Sequence, residues 1–196
     1  MLTVAQAQKN ILANTRRPLG REKVVLLTAV QRVLAEDVHS NLDLPPFTNS
    51  AMDGYAVIAA DTCGVSKSNP QILNVIENLP AGRVAQQKIR PGQAIKIMTG
   101  APLPAGADAV VIVEETALEN TRVKIFTEVK PGANLRYRGE DIKKGELVIP
   151  QGKTLRPQEI ALLAALNKWQ VTVVRRPRVA VLSTVEELVE LGEKLT

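Results

Sequence analysis

From Leu44 to Leu147 the apolar residues arrive in short runs crowded by proline and glycine, and that texture leaves no room for a helix of ordinary length. Gln71–Ile76, Ala94–Met98, Ala109–Val113 and Val123–Thr127 are each the length of a strand. Pro91-Gly92 and Pro131-Gly132 are turn pairs, and Leu-Pro-Ala-Gly stands at 79–82 and again at 103–106. Two copies of a four-residue turn string do not make a repeat architecture. The stretch 44–147 is therefore predicted to be one compact β-rich module inserted between helical stretches, giving an α+β fold.

The flanks read differently. Thr3 and Gln6 have capping-box spacing, and Val4, Ala7, Ile11 and Leu12 follow at helical spacing. That helix is expected to stop near Asn14, ahead of Pro18. Val24–Leu27 fits a short strand or an apolar approach segment. Thr28 and Gln31 repeat the capping spacing, which predicts a second short helix through about Leu34. His39, the only histidine, stands at a strand edge and is given no chemical role. Segment 1–43 is thus a helical and linking piece.

Segment 148–174 returns to it. Arg156-Pro157 opens a helix, because proline is tolerated at the first helical position. Ile160, Leu163 and Leu166 follow at turn spacing, Asn167 can adopt the left-handed conformation that ends it, and Val171–Val174 reads as a strand. In 175–196, Val179–Leu182 resembles the first strand of an α/β domain that the sequence is expected to truncate.

Charge and composition exclude several classes. The net charge is +5, with arginines at 16–17, 136, 138, 175–176 and 178, which favours anionic ligands. Aromatic residues make up 3% of the chain, too few for the stacking platforms of nucleic-acid binders, and no nucleic-acid-binding motif is present. No apolar run reaches the roughly 18 residues of a membrane span. The N-terminus lacks a basic region followed by an apolar core, and Cys63 has no second cysteine to pair with. These features predict a cytoplasmic protein without nucleic-acid or membrane partners.

Two loops concentrate groups able to meet a ligand. Asn49-Ser50-Ala51-Met52-Asp53-Gly54-Tyr55-Ala56 follows Pro45-Pro46, so the chain enters it extended. Asp53-Gly54 reads as a turn leading into the apolar run Ala56–Ala59, placing Ser50 and Asp53 on the loop. A plain hairpin turn is the alternative. In the second loop, an apolar strand ends at Met98-Thr99-Gly100, where Thr99 offers a hydroxyl and Gly100 lets backbone approach a ligand closely. Two prolines and a second glycine follow before Ala109–Val113. Glu114 and Glu115 close that strand and read as structural.

Taken in order, PPFTNSAMDGYAV, IKIMTGAPLPAGADAVV with the later VEE, RGEDIKKGELVIPQGKTLRPQEIALLA and RRPRVAVLST resemble the N-terminal half of the molybdopterin molybdenumtransferase family, the MoeA type that includes the E domain of gephyrin. The resemblance runs from about Leu2 to the end. It implies an enzyme of molybdenum cofactor biosynthesis, which inserts molybdenum from molybdate into adenylylated molybdopterin and releases AMP with the help of magnesium (Mg2+).

On the family pattern, Asp53, Asp141 and Glu187 take catalytic roles, and Ser50, Thr99, Gly100 and Arg136 contact substrate. From spacing alone, Arg136 and Asp141 are equally well read as a local ion pair that stabilises a loop. Metal ligands are not specified. The family also implies a homodimer and other proteins of the same pathway as partners. This chain departs from the pattern at Val185, where the family has glycine; valine is a poor occupant of a positive-φ turn. With the remainder of the α/β domain expected beyond Thr196, the isolated chain is expected to be inactive. The alternative is a non-catalytic dimerising or scaffold module of the same pathway.

Overall fold

The computed structural model describes residues 2–15, 19–182, 189 and 191–192. In chain order the helices are α1 (Val4–Asn14) and α2 (Pro157–Ala165). The strands are β1 (Arg21–Val25), β2 (Val38–His39), β3 (Asn49–Ser50), β4 (Gly54–Val57), β5 (Gln71–Leu79), β6 (Gln93–Ile97), β7 (Ala109–Ile112), β8 (Thr116–Glu119), β9 (Arg122–Ile125), β10 (Leu135–Arg136), β11 (Leu147–Ile149) and β12 (Gln170–Val174). The chain divides into two compact units, one made of Met1–Asp37 with Ile149–Thr196 and the other of Val38–Val148.

The second unit is built on a six-stranded sheet in the order β7-β4-β6-β5-β9-β8. All its pairings are antiparallel except β5 with β6. The short apolar runs form strands because each is buried on at least one face. Tyr55, Val57, Leu73, Val111, Val123 and Ile125 fill one side, while Ala56, Leu79, Ile95, Ile97 and Val110 fill the other. Burial on both faces explains why Tyr55-Ala56-Val57 shows no alternation of apolar and polar residues. Strand β8 was not read from the sequence. Thr116-Ala117-Leu118-Glu119 is a half-exposed edge and carries little apolar signal.

Gly54 has a different job from the one its sequence suggested. It is the first residue of β4, and a Cβ there would stand 2.0 Å from the Val111 carbonyl oxygen. The glycine is required by close strand approach rather than by a turn.

In the first unit, α1 begins as expected. The Gln6 amide N–H donates to Thr3 Oγ1, and the Thr3 N–H donates to Gln6 Oε1. The helix expected at 28–34 is absent. Leu26–Thr28 forms a single 3₁₀ turn, and Gln31 then takes φ 65°, donating its N–H to the Leu155 carbonyl. Tertiary pairing wins over local capping there: Arg32 is buried, pairs with Glu22 and donates to the Val174 carbonyl at 2.7 Å. β1 and β12 form a five-residue antiparallel ladder beside it. Val179–Leu182 forms no strand; Val179, Val181 and Leu182 are exposed and without a ladder partner among the described residues. No helix among the described residues is long and apolar enough to cross a membrane.

Helix α2 starts at Pro157 and ends before Asn167, which takes φ 56°. Its first turn is locked by Glu159. That carboxylate accepts from the Arg156 backbone N–H at 2.9 Å and from the Arg156 guanidinium at 2.7 and 3.1 Å. The Arg156 side-chain hydrogen bonds, with its backbone N–H and charge adding, hold the Glu159 carboxyl at about 2, well below its ordinary 4.5. A depressed carboxyl pKa stabilises the fold above the unfolded-state pKa and loses that effect as pH falls toward the folded-state value. Urea melts of the wild type should therefore weaken progressively from about pH 4.5 to about pH 2. Glu159→Gln should lower stability at neutral pH and flatten that part of the profile; an unchanged slope would show that Glu159 does not carry it.

Candidate functional site

The sequence-predicted groups of the second unit gather around one short strand. β3 pairs with β10 on one side, Asn49 opposite Arg136 and Ser50 opposite Leu135. On its other side the Ser50 N–H donates to the Ala101 carbonyl, and the Gly100 N–H donates to the Ser50 carbonyl. The Ala51 N–H is bonded to the Asn134 carbonyl. The 49–53 segment is thus laced between 98–101 and 134–136.

Asp53 and Thr99, read separately in the sequence, meet here. Asp53 Oδ1 accepts from the Thr99 hydroxyl at 2.7 Å and from the Thr99 backbone N–H at 2.8 Å. Oδ2 has no hydrogen-bond partner among the described residues, and both side chains are exposed. The Thr99 hydroxyl, followed by its backbone N–H, holds the Asp53 carboxyl below the usual carboxylate range. Asp53 is therefore an anchored carboxylate with one oxygen open to solvent. Gly100 follows with φ 82° and open space where a Cβ would stand, so its conformation requires glycine.

Ser50 corrects an expectation. It is completely buried, and its hydroxyl donates to the Met52 carbonyl at 2.5 Å. The side chain turns back onto its own loop, so its hydroxyl is already engaged rather than presented to solvent.

Arg136 and Asp141 are brought together. Arg136 donates to Asp141 Oδ2 at 2.9 Å and to Glu140 Oε1 at 3.2 Å. The other Glu140 oxygen accepts from the Tyr137 N–H at 2.6 Å and closes the turn. Arg136 and Asp141 are each about half exposed, 49% and 53%. The ion pair that spacing allowed is present, on a surface that a ligand can reach. Glu187 and Val185 lie outside the described residues.

Three residues of this region escaped the sequence reading. Glu140 carries no distinguishing signal in the sequence beyond its place beside Asp141. Asp108 caps the 59–62 turn by accepting from the Ala59 N–H at 2.7 Å. Asp43 pairs with Arg138; its signal was a single charge within Leu42-Asp43-Leu44-Pro45-Pro46. Beside the same loops lies a cleft of about 630 Å3, walled by Phe47, Thr48, Pro102, Leu103, Leu135 and Tyr137.

The residues do not build a cation site of their own. Among those described, no three His, Cys, Asp or Glu side chains converge. Asp53 Oδ1 is already held by Thr99, and Asp141 by Arg136. Magnesium ordinarily takes six oxygens in near-octahedral geometry, so this donor set does not fit the ion by itself.

Residues 2–167 match the model of the MoeA N-terminal region, domains I and II. The chain belongs to the MoeA N-terminal family. It is 45% identical over 174 residues to a molybdopterin molybdenumtransferase of Nostoc, covering 89% of this chain and 40% of that protein. It is 40% identical over 196 residues to the one from Haemophilus influenzae, covering 100% of this chain and 47% of the relative. Among solved structures, a molybdopterin biosynthesis MoeA protein from Pyrococcus horikoshii superposes with a TM-score of 0.78 at 46% identity, over 81% of this chain and 42% of that one. A second structure of a protein of that name gives a TM-score of 0.79 at 36% identity, over 100% of this chain and 50% of that one. The α+β architecture is accordingly that of this family's N-terminal part, and the chain spans less than half the length of these curated relatives.

The Thr99 hydrogen bonds favour the charged form of Asp53, so removing one must raise its pKa. In Thr99→Val the hydroxyl donor is lost while the backbone donor stays. NMR titration should place the Asp53 carboxyl midpoint higher in this variant than in the wild type. Equal midpoints would show that Thr99 does not hold this carboxylate.

Proposed function

We propose that this chain serves molybdenum cofactor biosynthesis as the N-terminal portion of a molybdopterin molybdenumtransferase, inserting molybdenum from molybdate into adenylylated molybdopterin with release of AMP. The observation that carries this reading is the 40–45% identity to proteins named for that activity. The loop geometry is compatible with it. Asp53, fixed by Thr99, presents one open oxygen that can orient a substrate group or a water. Gly100 leaves the backbone beside Thr99 accessible. Arg136 offers a guanidinium suited to a phosphate or molybdate oxyanion, and Asp141 holds that guanidinium in place until substrate arrives. Glu187 is proposed as a further catalytic carboxylate on the family pattern. The advantage of such an arrangement is alignment, which can lower a barrier by about 7 kcal/mol or more in favourable systems.

The same reading includes a homodimer and a cytoplasmic setting. α1 supports the homodimer: it has no buried residue, and Val4, Ile11 and Leu12 stand exposed along it. An amphipathic helix with an uncovered apolar stripe is ordinarily covered by another surface, and a second copy supplies one. α2 offers no such uncovered stripe, since Leu163 and the adjoining Leu166 are buried. Sedimentation at micromolar concentration should show a dimer, and Ile11→Glu should shift it to monomer. A wild-type monomer would remove this part of the proposal.

The activity is tested with adenylylated molybdopterin, molybdate and magnesium, by following AMP release with the chain alone and with the C-terminal half of a relative supplied in trans. The chain alone should be silent and the mixture active. Asp53→Asn should abolish release in the mixture while the variant still folds, since the asparagine oxygen can keep accepting from Thr99. No release in the wild-type mixture, together with retained dimerisation, would favour the scaffold module.

A further inference from the structure

Asp43 stands outside the residues assigned to the chemistry above, yet its two oxygens bracket the loop that carries them. Oδ2 accepts from Arg138 Nε at 2.6 Å, and Oδ1 accepts from the Lys144 backbone N–H at 2.8 Å. Arg138 precedes Asp141 by one turn and Lys144 follows it, so a single carboxylate grips both flanks of the segment.

The residues after Asp43 continue the seam. The Leu44 carbonyl accepts from the Asp141 and Ile142 N–H groups at 3.0 and 3.1 Å, and the Pro45 carbonyl accepts from Gly139 at 3.0 Å. Gly139 takes φ 69°, and a Cβ there would lie 3.4 Å from Asp43 Oδ1. The turn thus lies in van der Waals contact with the carboxylate. The Asp43 side chain is largely covered, at 18% exposed, whereas Arg138 is 67% exposed. The burial is therefore on the side of the group that does the gripping. The Lys144 N–H and the Arg138 guanidinium also hold the Asp43 carboxyl below its ordinary range, so it stays charged at neutral pH.

We infer that Asp43 is a positioning residue: through Arg138 and the Lys144 N–H it holds the 136–141 loop so that Arg136 and Asp141 keep the arrangement the substrate meets. This rests on the reading of Arg136 and Asp141 given under the proposed function. Asp43 itself touches neither of those side chains in the contacts described. Its influence passes through the backbone of the loop, and this separates it from the catalytic residues. An asparagine at 43 has one carboxamide oxygen, which can still accept from Lys144, but it presents no anion to Arg138. Asp43→Asn therefore removes the Arg138 contact selectively and keeps the size of the side chain.

Amide hydrogen exchange on the intact chain tests the holding directly. In Asp43→Asn the amides of Gly139, Asp141 and Ile142 should exchange at least about fivefold faster, as expected when a local unit opens more often. The amides of β4 and β6 should be unchanged, which guards against a general loss of fold. Arg138→Gln should reproduce the effect, and Arg138→Lys, which keeps a cation for Asp43, should largely rescue it.

In the complemented AMP-release assay, Asp43→Asn should lower kcat at least about tenfold with KM shifted less, because misalignment acts on the transition state. The Asp43→Asn/Arg138→Gln double variant should be no worse than either single one, as for two parts of one unit. Unchanged exchange in Asp43→Asn overturns the inference. So does faster exchange with kcat intact. If the wild-type mixture gives no turnover, the catalytic reading falls, and the exchange result alone decides whether Asp43 holds this loop.

Discussion

The second unit depends on the pairing of one very short strand, β3, from both sides. Burying a peptide segment is unfavourable unless each N–H and carbonyl finds a partner. At Ser50 the N–H goes to Ala101, the carbonyl accepts from Gly100, and the hydroxyl closes onto Met52. The residue is fully buried as a result, and two otherwise independent loops, 98–101 and 134–136, are tied to the same backbone. Asp53 lies three residues downstream of that tie, and Thr99 one residue before Gly100. Their meeting follows from backbone geometry, and the side-chain contact then locks it. A site supported in this way is held by regular pairing even though its groups stand on loops.

Carboxylates do a second kind of holding throughout the chain. Asp37 accepts from the Gln151 N–H, Asp61 from Gly92, Asp108 from Ala59, Glu77 from Gln86 and Gln87, and Glu128 from Gly64. Each ties an irregular segment to a distant one by a charge-assisted bond, the stronger class of hydrogen bond. Such pins suit loops punctuated by proline and glycine, which offer few large apolar groups to pack.

What could be read from the sequence was local. The Thr3–Gln6 box, proline at the start of α2 and the short apolar runs all act within a few residues, and each formed as its chemistry dictates. What failed was non-local. Thr28 and Gln31 have the spacing of a helix cap, but Arg32 is claimed by Glu22 and Val174, and Gln31 is turned to a positive φ to donate to Leu155. Gly54 looks like a turn glycine until the Val111 carbonyl is placed 2.0 Å from where its Cβ would be. For the candidate site, the residue types were legible at Asp53, Thr99, Arg136 and Asp141. The Arg136–Asp141 contact was legible as an alternative because it is local, whereas the Asp53–Thr99 contact was not, because it depends on strands paired many residues apart. Ser50 shows the same limit: a small polar residue beside a turn looks available to a ligand until the chain pairs on both sides of it.

The ion pair between Arg136 and Asp141 bears on function through its magnitude. A guanidinium already holding two carboxylates would seem occupied, which favours a purely structural role. Exposed pairs of this kind contribute only about 0–1 kcal/mol, because water screens them and long side chains must be ordered to make them. Both partners here are about half exposed. An incoming phosphate or molybdate oxyanion carries more charge than one carboxylate and can be met bidentately by the same fork. Exchanging Asp141 for such an anion therefore costs little, while the pair keeps Arg136 extended and oriented beforehand. Under the proposed function, the contact that looks like loop stabilisation also serves as a resting state for an anion-binding arginine, since an exposed pair costs little to leave.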